Sequence, residues 1–431
     1  MSLRCSICRA EFPSAKAFRR QPVGKGKYRR LCPGCSNRYA ESASNFGLFC
    51  SAIMAIVGVA LIWAWPQAPY GWGCLFVGIL YLTFVLTVLP HELGHALAAL
   101  AVGMRVFTVT VGWSGRILLV AQVFGYDFVF RSIPLGGSAH IGPKSVRFAR
   151  LRYFIAVLGG PLANLLLIVL ALWLIDDSSR EDITYWALAA FIYGNIIKLA
   201  LGLFPRKVRH ERRRIPNDGL ILLQIFRMSR TSIDAWHSTT FYYEALEALE
   251  RGNVSDARRW LANGVEAYPD NSWSESMQAS ILTHEHKYRE ARDIYLAILS
   301  RPESKPEFQS QLWNGIAWLD LRIDDPTLLE EADQFSRRAI EDDPWSSLVR
   351  GTRGSVLIEL GQIDEGYPLV EQAFQENDRD AKALNACYLA IAESRQGGIR
   401  NARWFINEAK KRDPNCPLLE RAMREVERVP C

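Results

Sequence analysis

The chain has 431 residues, 49% of them apolar, with 13 tryptophans, a formal charge of +6 and nine cysteines. Apolar content that high with a mean hydropathy near zero excludes a disordered chain and a fully embedded membrane protein. It predicts a membrane part joined to a soluble part, in roughly two to four domains. The cysteines cluster only near the start, which excludes a secreted disulfide framework.

Residues 1–45 carry Cys5-x2-Cys8 and Cys32-x2-Cys35. Two such knuckles supply four thiolates for a closed tetrahedral zinc site, a structural zinc whose binding energy helps fold a segment too short for a large core. The surplus of lysine and arginine here suits a topology determinant on the cytosolic side of a membrane, or contact with anionic lipid. Nucleic acid is disfavoured as a partner, because aromatic residues do not interleave the basic ones.

Four apolar segments follow, at residues 47–65, 71–103, 153–175 and 184–204. Each reaches the roughly 20 residues that span a bilayer. The 176–182 turn is acidic, whereas the N-terminus, the 105–152 connection and the Arg206–Arg214 tract are basic. This asymmetry predicts an integral, multi-pass protein with both termini in the cytosol. The second segment makes a helix of about 50 Å, against about 30 Å of hydrocarbon, so Pro90 should kink it or open its hydrogen-bond ladder.

Within that segment stands His91-Glu92-Leu93-Gly94-His95. On a helix the two imidazoles share a face and can hold one metal ion, and Glu92 is placed to act as general base toward water. Two histidines and a glutamate are costly in hydrocarbon unless a metal or a partner compensates them.

Residues 105–150 read as β-prone and interfacial, because open strand edges cannot face lipid. Gly136 and Gly137 allow close backbone approach there, and an extended substrate could pair with an edge strand. His140 reads as structural or interfacial. In the third span Asn164 needs a partner, either a neighbouring helix or a peptide carbonyl beside the histidines. After the fourth span, Asp218 is the candidate third ligand of a catalytic zinc. The alternative there is an ordinary Asp-Gly turn.

From residue 236 to 431 the chain reads as a soluble, all-α solenoid. Small residues recur at Ala257, Ala291, Ala332, Gly366 and Ala402, separated by 34, 41, 34 and 36 positions. This is the spacing of about five tetratricopeptide-like helix pairs, the third lengthened around Pro302–Pro306 and closed by a capping helix over 417–431. Such a solenoid offers a surface to a protein or peptide partner. The domain reading is therefore a zinc ribbon (1–45), a membrane core (46–235) and a repeat domain (236–431).

Together His91–His95, Pro134–Gly137, Gly160–Asn164 and Leu203-Phe204-Pro205 leading to Asp218-Gly219 resemble the site-2 protease (M50) family of intramembrane zinc metalloproteases. The resemblance covers roughly residues 71–228. It implies zinc held by His91, His95 and Asp218, Glu92 as general base, Asn164 in substrate handling, and a membrane-protein substrate cut in or beside its transmembrane helix. The expected cofactors are one catalytic and one structural zinc ion. Two features depart from the family pattern. Gly202 stands where asparagine is usual, and twelve residues separate Pro205 from Asp218. His210 and Glu211 within that insertion are alternative ligands. The competing reading is a catalytically inactive membrane adaptor that uses this core as a scaffold for a cytosolic protein-binding repeat domain.

Overall fold

The computed structural model describes residues 3–8, 10–12, 17–22, 28–112, 114–175, 182–210, 213–269, 273–301, 309–323, 325–376 and 379–428. The chain divides into two compact units, Met1–Arg38 with Glu244–Cys431, and Tyr39–Tyr243. The insertion expected around Pro302–Pro306 lies outside the described residues.

At the N-terminus β1 (Leu3–Arg4) pairs antiparallel with β2 (Glu11–Phe12), and β3 (Arg19–Pro22) with β4 (Tyr28–Leu31). Cys5 follows β1 and Cys32 follows β4, while Cys35 lies in the first turn of α1 (Pro33–Ala64). That helix thus begins inside the ribbon and continues into the first apolar segment.

Four helices are long and apolar enough to cross a membrane: Pro33–Ala64, Pro69–Ala101, Ala149–Ile175 and Ile183–Leu203. The second breaks into α2 (Pro69–Leu86) and α3 (Val88–Ala101) at Thr87. The break precedes Pro90 by three residues, because a proline ring collides with the carbonyl one turn earlier and leaves it without a donor. After α3 come β5 (Met104–Val111), β6 (Ser114–Val123), β7 (Tyr126–Ile133) and β8 (Gly137–Pro143). They form one sheet in the order β6-β7-β5-β8, with β5 parallel to β7 and antiparallel to β8. Met104, Val106, Val109 and Ile141 from the sheet pack with Ala96 and Ala99 of α3. Arg116 of β6 meets Glu41 of α1 through paired hydrogen bonds of 2.9 and 2.5 Å, tying the sheet to the first span.

The remaining membrane-type helices are α4 (Ala149–Ile175) and α5 (Ile183–Leu203). α3 and α4 cross where Gly94 meets Gly159. A Cβ on Gly94 would collide with the Gly159 carbonyl oxygen, so only glycine permits this approach. The chain then forms the β9 (Lys207–His210) and β10 (Arg213–Pro216) hairpin, followed by α6 (Asp218–Gln224).

Helix pairs make up the rest: α7 (Arg230–Glu250) with α8 (Val254–Ala267), α9 (Ser274–His284) with α10 (Tyr288–Leu299), and α11 (Gln309–Asp320) with α12 (Leu329–Asp342). α13 (Ser347–Glu359) with α14 (Ile363–Glu376) and α15 (Arg379–Arg395) with α16 (Ile399–Arg412) follow, capped by α17 (Leu419–Glu427). The periodic alanines 257, 291, 332 and 402 are fully buried in the second helix of their pairs. Gly252, Gly361 and Gly397 adopt φ of 73°, 78° and 80° in the inter-helix turns, where side chains would be strained. The protein is a multi-pass helical membrane chain with a small sheet, a four-cysteine ribbon and a tetratricopeptide-like solenoid.

Candidate metal centre

The break at Thr87 starts α3 two residues before Pro90 and turns one face of a short helix, His91 and His95, toward α4. Their Nε2 atoms lie 3.2 Å apart. The Asp218 carboxylate oxygen Oδ2 is 3.2 Å from His91 Nε2 and 3.6 Å from His95 Nε2. Three ligand atoms about 2.0–2.1 Å from a tetrahedral zinc stand about 3.3–3.4 Å from one another, so this triangle fits the ion. Space for it also exists. A Cβ on Gly160 would collide with His95 Nε2 and stand 2.8 Å from His91 Nε2, and glycine leaves that place free. His95 Nδ1 lies 3.0 Å from the Ala156 carbonyl oxygen. Donation of the Nδ1 proton there leaves the Nε2 lone pair for a metal.

Asp218 reaches the histidines because the twelve-residue insertion returns on itself. β9 and β10 pair from His210/Arg213 back to Lys207/Pro216. The backbone N–H of Asn217 donates to the Arg206 carbonyl, and the Arg206 N–H donates to Asn217 Oδ1, each at 3.0 Å. Asn217 also caps α6, its Oδ1 accepting from the Leu220 N–H at 3.2 Å. Its Nδ2 donates to the Gly202 and Phe204 carbonyls at 2.7 and 2.8 Å, satisfying the end of α5. Burial pushes the Asp218 carboxyl up, but the hydrogen bonds and charge of the two imidazoles outweigh it and hold the group below the usual carboxylate range.

Glu92 is buried on α3, and a Cβ on Gly137 would lie 2.8 Å from its Oε1. The start of the edge strand β8 therefore runs beside the carboxylate. The Gly136 carbonyl accepts from the Gly112 N–H at 2.7 Å, holding the turn into β8. Asn164 is fully buried in α4, one turn beyond Gly160, and neither amide atom has a partner among the described residues. His140 stays outside the cluster, packed edge-on against Tyr243 at 4.2 Å, and burial lowers its pKa. Glu211 and the side chain of His210 lie outside the described residues.

Two residues near the centre escaped the sequence reading. Asn217 was legible as a helix N-cap before Asp218-Gly219. Lys198 is the one charged side chain of α5 and donates to Thr87 Oγ1 at 3.2 Å, bonding the helix break beside the histidines. A lone lysine in an apolar run is itself a signal.

The second cluster is Cys5, Cys8, Cys32 and Cys35, whose sulfurs lie within 4.8 Å of one another. Tetrahedral thiolates about 2.3 Å from zinc stand about 3.8 Å apart, and the Cys8–Cys32 separation is 3.5 Å. Gln372 of α14 reaches this cluster, its Nε2 lying 3.7 Å from Cys8 Sγ.

Comparison with known proteins adds family membership. Two curated proteins, from Xylella fastidiosa strains Temecula1 and 9a5c and named as zinc metalloproteases, are 30% identical to the chain over 113 residues. That covers 23% of this chain and 26% of theirs, so the chain spans about a quarter of the length of these relatives. Among solved structures, a thermophilic TPR protein of Thermus thermophilus is 14% identical, covers 44% of this chain and 99% of its own, and has a TM-score of 0.35. YrrB, a TPR protein with an unusual peptide-binding site, is 14% identical over 43% of this chain and 90% of its own, with a TM-score of 0.28. The family model described as Peptidase family M50 matches residues 79–387, well over half of the length, and the chain belongs to that family.

Proposed function

We propose that the protein is an intramembrane zinc metalloprotease that hydrolyses a peptide bond in or beside the transmembrane segment of a membrane-protein substrate, with both of its own termini in the cytosol. The observation that carries this reading is the donor triangle of His91, His95 and Asp218, built at the end of a membrane-length helix. These residues hold the catalytic zinc, and Cys5, Cys8, Cys32 and Cys35 hold a structural one. When bound, zinc supplies Lewis acidity toward the scissile carbonyl and toward water. The Glu92 carboxylate takes the proton of the attacking water and returns it to the leaving amine.

A helical substrate must first unwind, since its carbonyls are held in its own ladder. β8 lies at the edge of the sheet and passes Glu92 at Gly137, so an extended substrate pairing there would come within reach of the carboxylate. The Asn164 amide, buried without a partner among the described residues, would bind a substrate carbonyl that reaches it. The name of the Xylella relatives supports the same class of chemistry. The adaptor reading drew on the long insertion before Asp218, and the hairpin that brings Asp218 back weighs against it.

The test co-expresses a panel of tagged single-pass membrane proteins with wild type, Glu92→Gln or Gly137→Val and follows processing in membranes. Glu92→Gln should lower cleavage by about a hundredfold or more while retaining two zinc ions per chain. Gly137→Val should do the same by crowding Glu92 and β8. Equal processing by wild type and Glu92→Gln would establish the adaptor instead.

A further inference from the structure

Lys198 stands partly buried inside α5, a helix of membrane-spanning length. Its Nζ donates to Thr87 Oγ1 at 3.2 Å, and the Thr87 hydroxyl gives its own proton to the Thr83 carbonyl at 2.6 Å. Among the described residues no carboxylate lies within ion-pair distance of the ammonium, which carries three N–H groups and a full charge. A cation in an apolar span is costly unless an opposite charge meets it, and such residues mark functional sites. We propose that Lys198 is a further catalytic residue, its ammonium stabilising the negative charge that develops on the scissile carbonyl oxygen as water attacks. This assignment rests on the peptide hydrolysis proposed above.

The directions of α3 and α4 place the lysine. His95 meets Ala156, Gly94 meets Gly159 and His91 stands against Gly160, so the two helices run antiparallel. Thr87 lies one turn before His91, its carbonyl accepting from the His91 N–H at 3.2 Å, and Asn164 lies one turn beyond Gly160. Both groups are therefore on the same side of the donor triangle, toward the start of α3, and Lys198 is bonded at that end. The ammonium is close enough for its charge to act on both Glu92 and His91. Gly202, one turn further along the same face of α5, would carry a Cβ that meets nothing within 4 Å, which leaves room there for a bound chain.

Charge decides what the lysine does. With zinc bound, the Asp218 and Glu92 carboxylates would balance the ion, and Lys198 is the charge left over. In the attack, the water oxygen bonds to the carbonyl carbon, the carbonyl π pair moves onto its oxygen, and the water proton passes to Glu92. On collapse that pair re-forms the carbonyl, the C–N bond breaks, and Glu92 returns the proton to the amine. The total charge never changes, but its place does: the negative charge leaves Glu92, which Lys198 does not touch, and appears on the oxygen. An ammonium that gains a contact only then lowers the barrier without tightening the hold on substrate. A neutral amide such as Asn164 distinguishes the two states less, because it also bonds an uncharged carbonyl.

The test exchanges zinc for cobalt in the full chain in detergent micelles, because the visible spectrum of cobalt reports a ligand entering an open position. The four-cysteine site is closed and should take up neither probe. The probes are azide, an anion, and imidazole, a neutral ligand. Lys198→Met should bind azide about tenfold more weakly than wild type, or worse, and imidazole within about twofold. It should keep two metal ions per chain and the wild-type melting temperature, and Lys198→Arg should recover most of the azide affinity. On a panel substrate that wild-type zinc protein cleaves, Lys198→Met should lower kcat about a hundredfold with KM little changed. Equal azide affinity in wild type and Lys198→Met would overturn the proposal, whether or not wild type cleaves. So would equal losses of azide and imidazole affinity, or loss of a metal ion, since the lysine would then only brace the centre. Failure of the protease reading alone has a different signature: equal processing by wild type and Glu92→Gln, with the azide difference intact.

Discussion

A methyl group at position 219 would collide with the Leu203 carbonyl oxygen, closer than any pair of such atoms tolerates. Gly219 therefore sets how closely α6 approaches the end of α5, and with it where Asp218 points. Gly219→Ala should push α6 away, at a cost of about 1–3 kcal/mol in overpacking. In a background where the four ribbon cysteines are serine, this variant should lose its remaining zinc, read by metal analysis of purified protein. Retention of one zinc per chain with undiminished cleavage would show that Asp218 is not a ligand. Asp218 could be nominated from residue type, but nothing local to it says that a backbone carbonyl lies against its neighbour.

At the scale of elements, the β9–β10 hairpin is an excursion whose two ends are already bonded to each other through Arg206 and Asn217. The hairpin is then dispensable for placing Asp218. Replacing residues 207–216 by a three-residue turn should preserve zinc content and at least half of the cleavage rate in membranes. A variant that loses its catalytic zinc would show that the strands themselves hold Asp218 in place. The kink before Pro90 was readable because proline acts on its own turn of helix. The hairpin was not, because its strands are short and basic and lack the apolar alternation that announces a sheet. The repeat helices were readable for the opposite reason, since alanines 257, 291, 332 and 402 recur with the period of the structure they pack.

At the scale of the molecule, the ribbon shares a core with the repeats. Phe12 and Leu31 are buried in one cluster with Ile340, Val349, Leu357 and Leu369. Each such side chain contributes about 1.5–3 kcal/mol on burial, so the four-cysteine site stabilises a surface larger than itself. Cys32→Ser should raise amide hydrogen exchange over Ile363–Glu376, the helix carrying Gln372, and lower the melting temperature of the repeats by about 5 °C or more. Unchanged exchange in that helix would mean that the ribbon rests on the solenoid without supporting it.

The sequence by itself determined whatever depends on near neighbours: the paired imidazoles of His91 and His95, the two cysteine knuckles, the membrane-length apolar runs and the repeat period. Each is a spacing along the chain, and helix or turn geometry converts such a spacing directly into a shared face. Only the tertiary structure decided the contacts that close over long separations. Asp218 meets His91 across 127 positions, Gln372 meets Cys8 across 364, and Lys198 meets Thr87 across 111. The first of these meetings follows from how closely backbones can approach at Gly94 and Gly219, and no local periodicity records that distance.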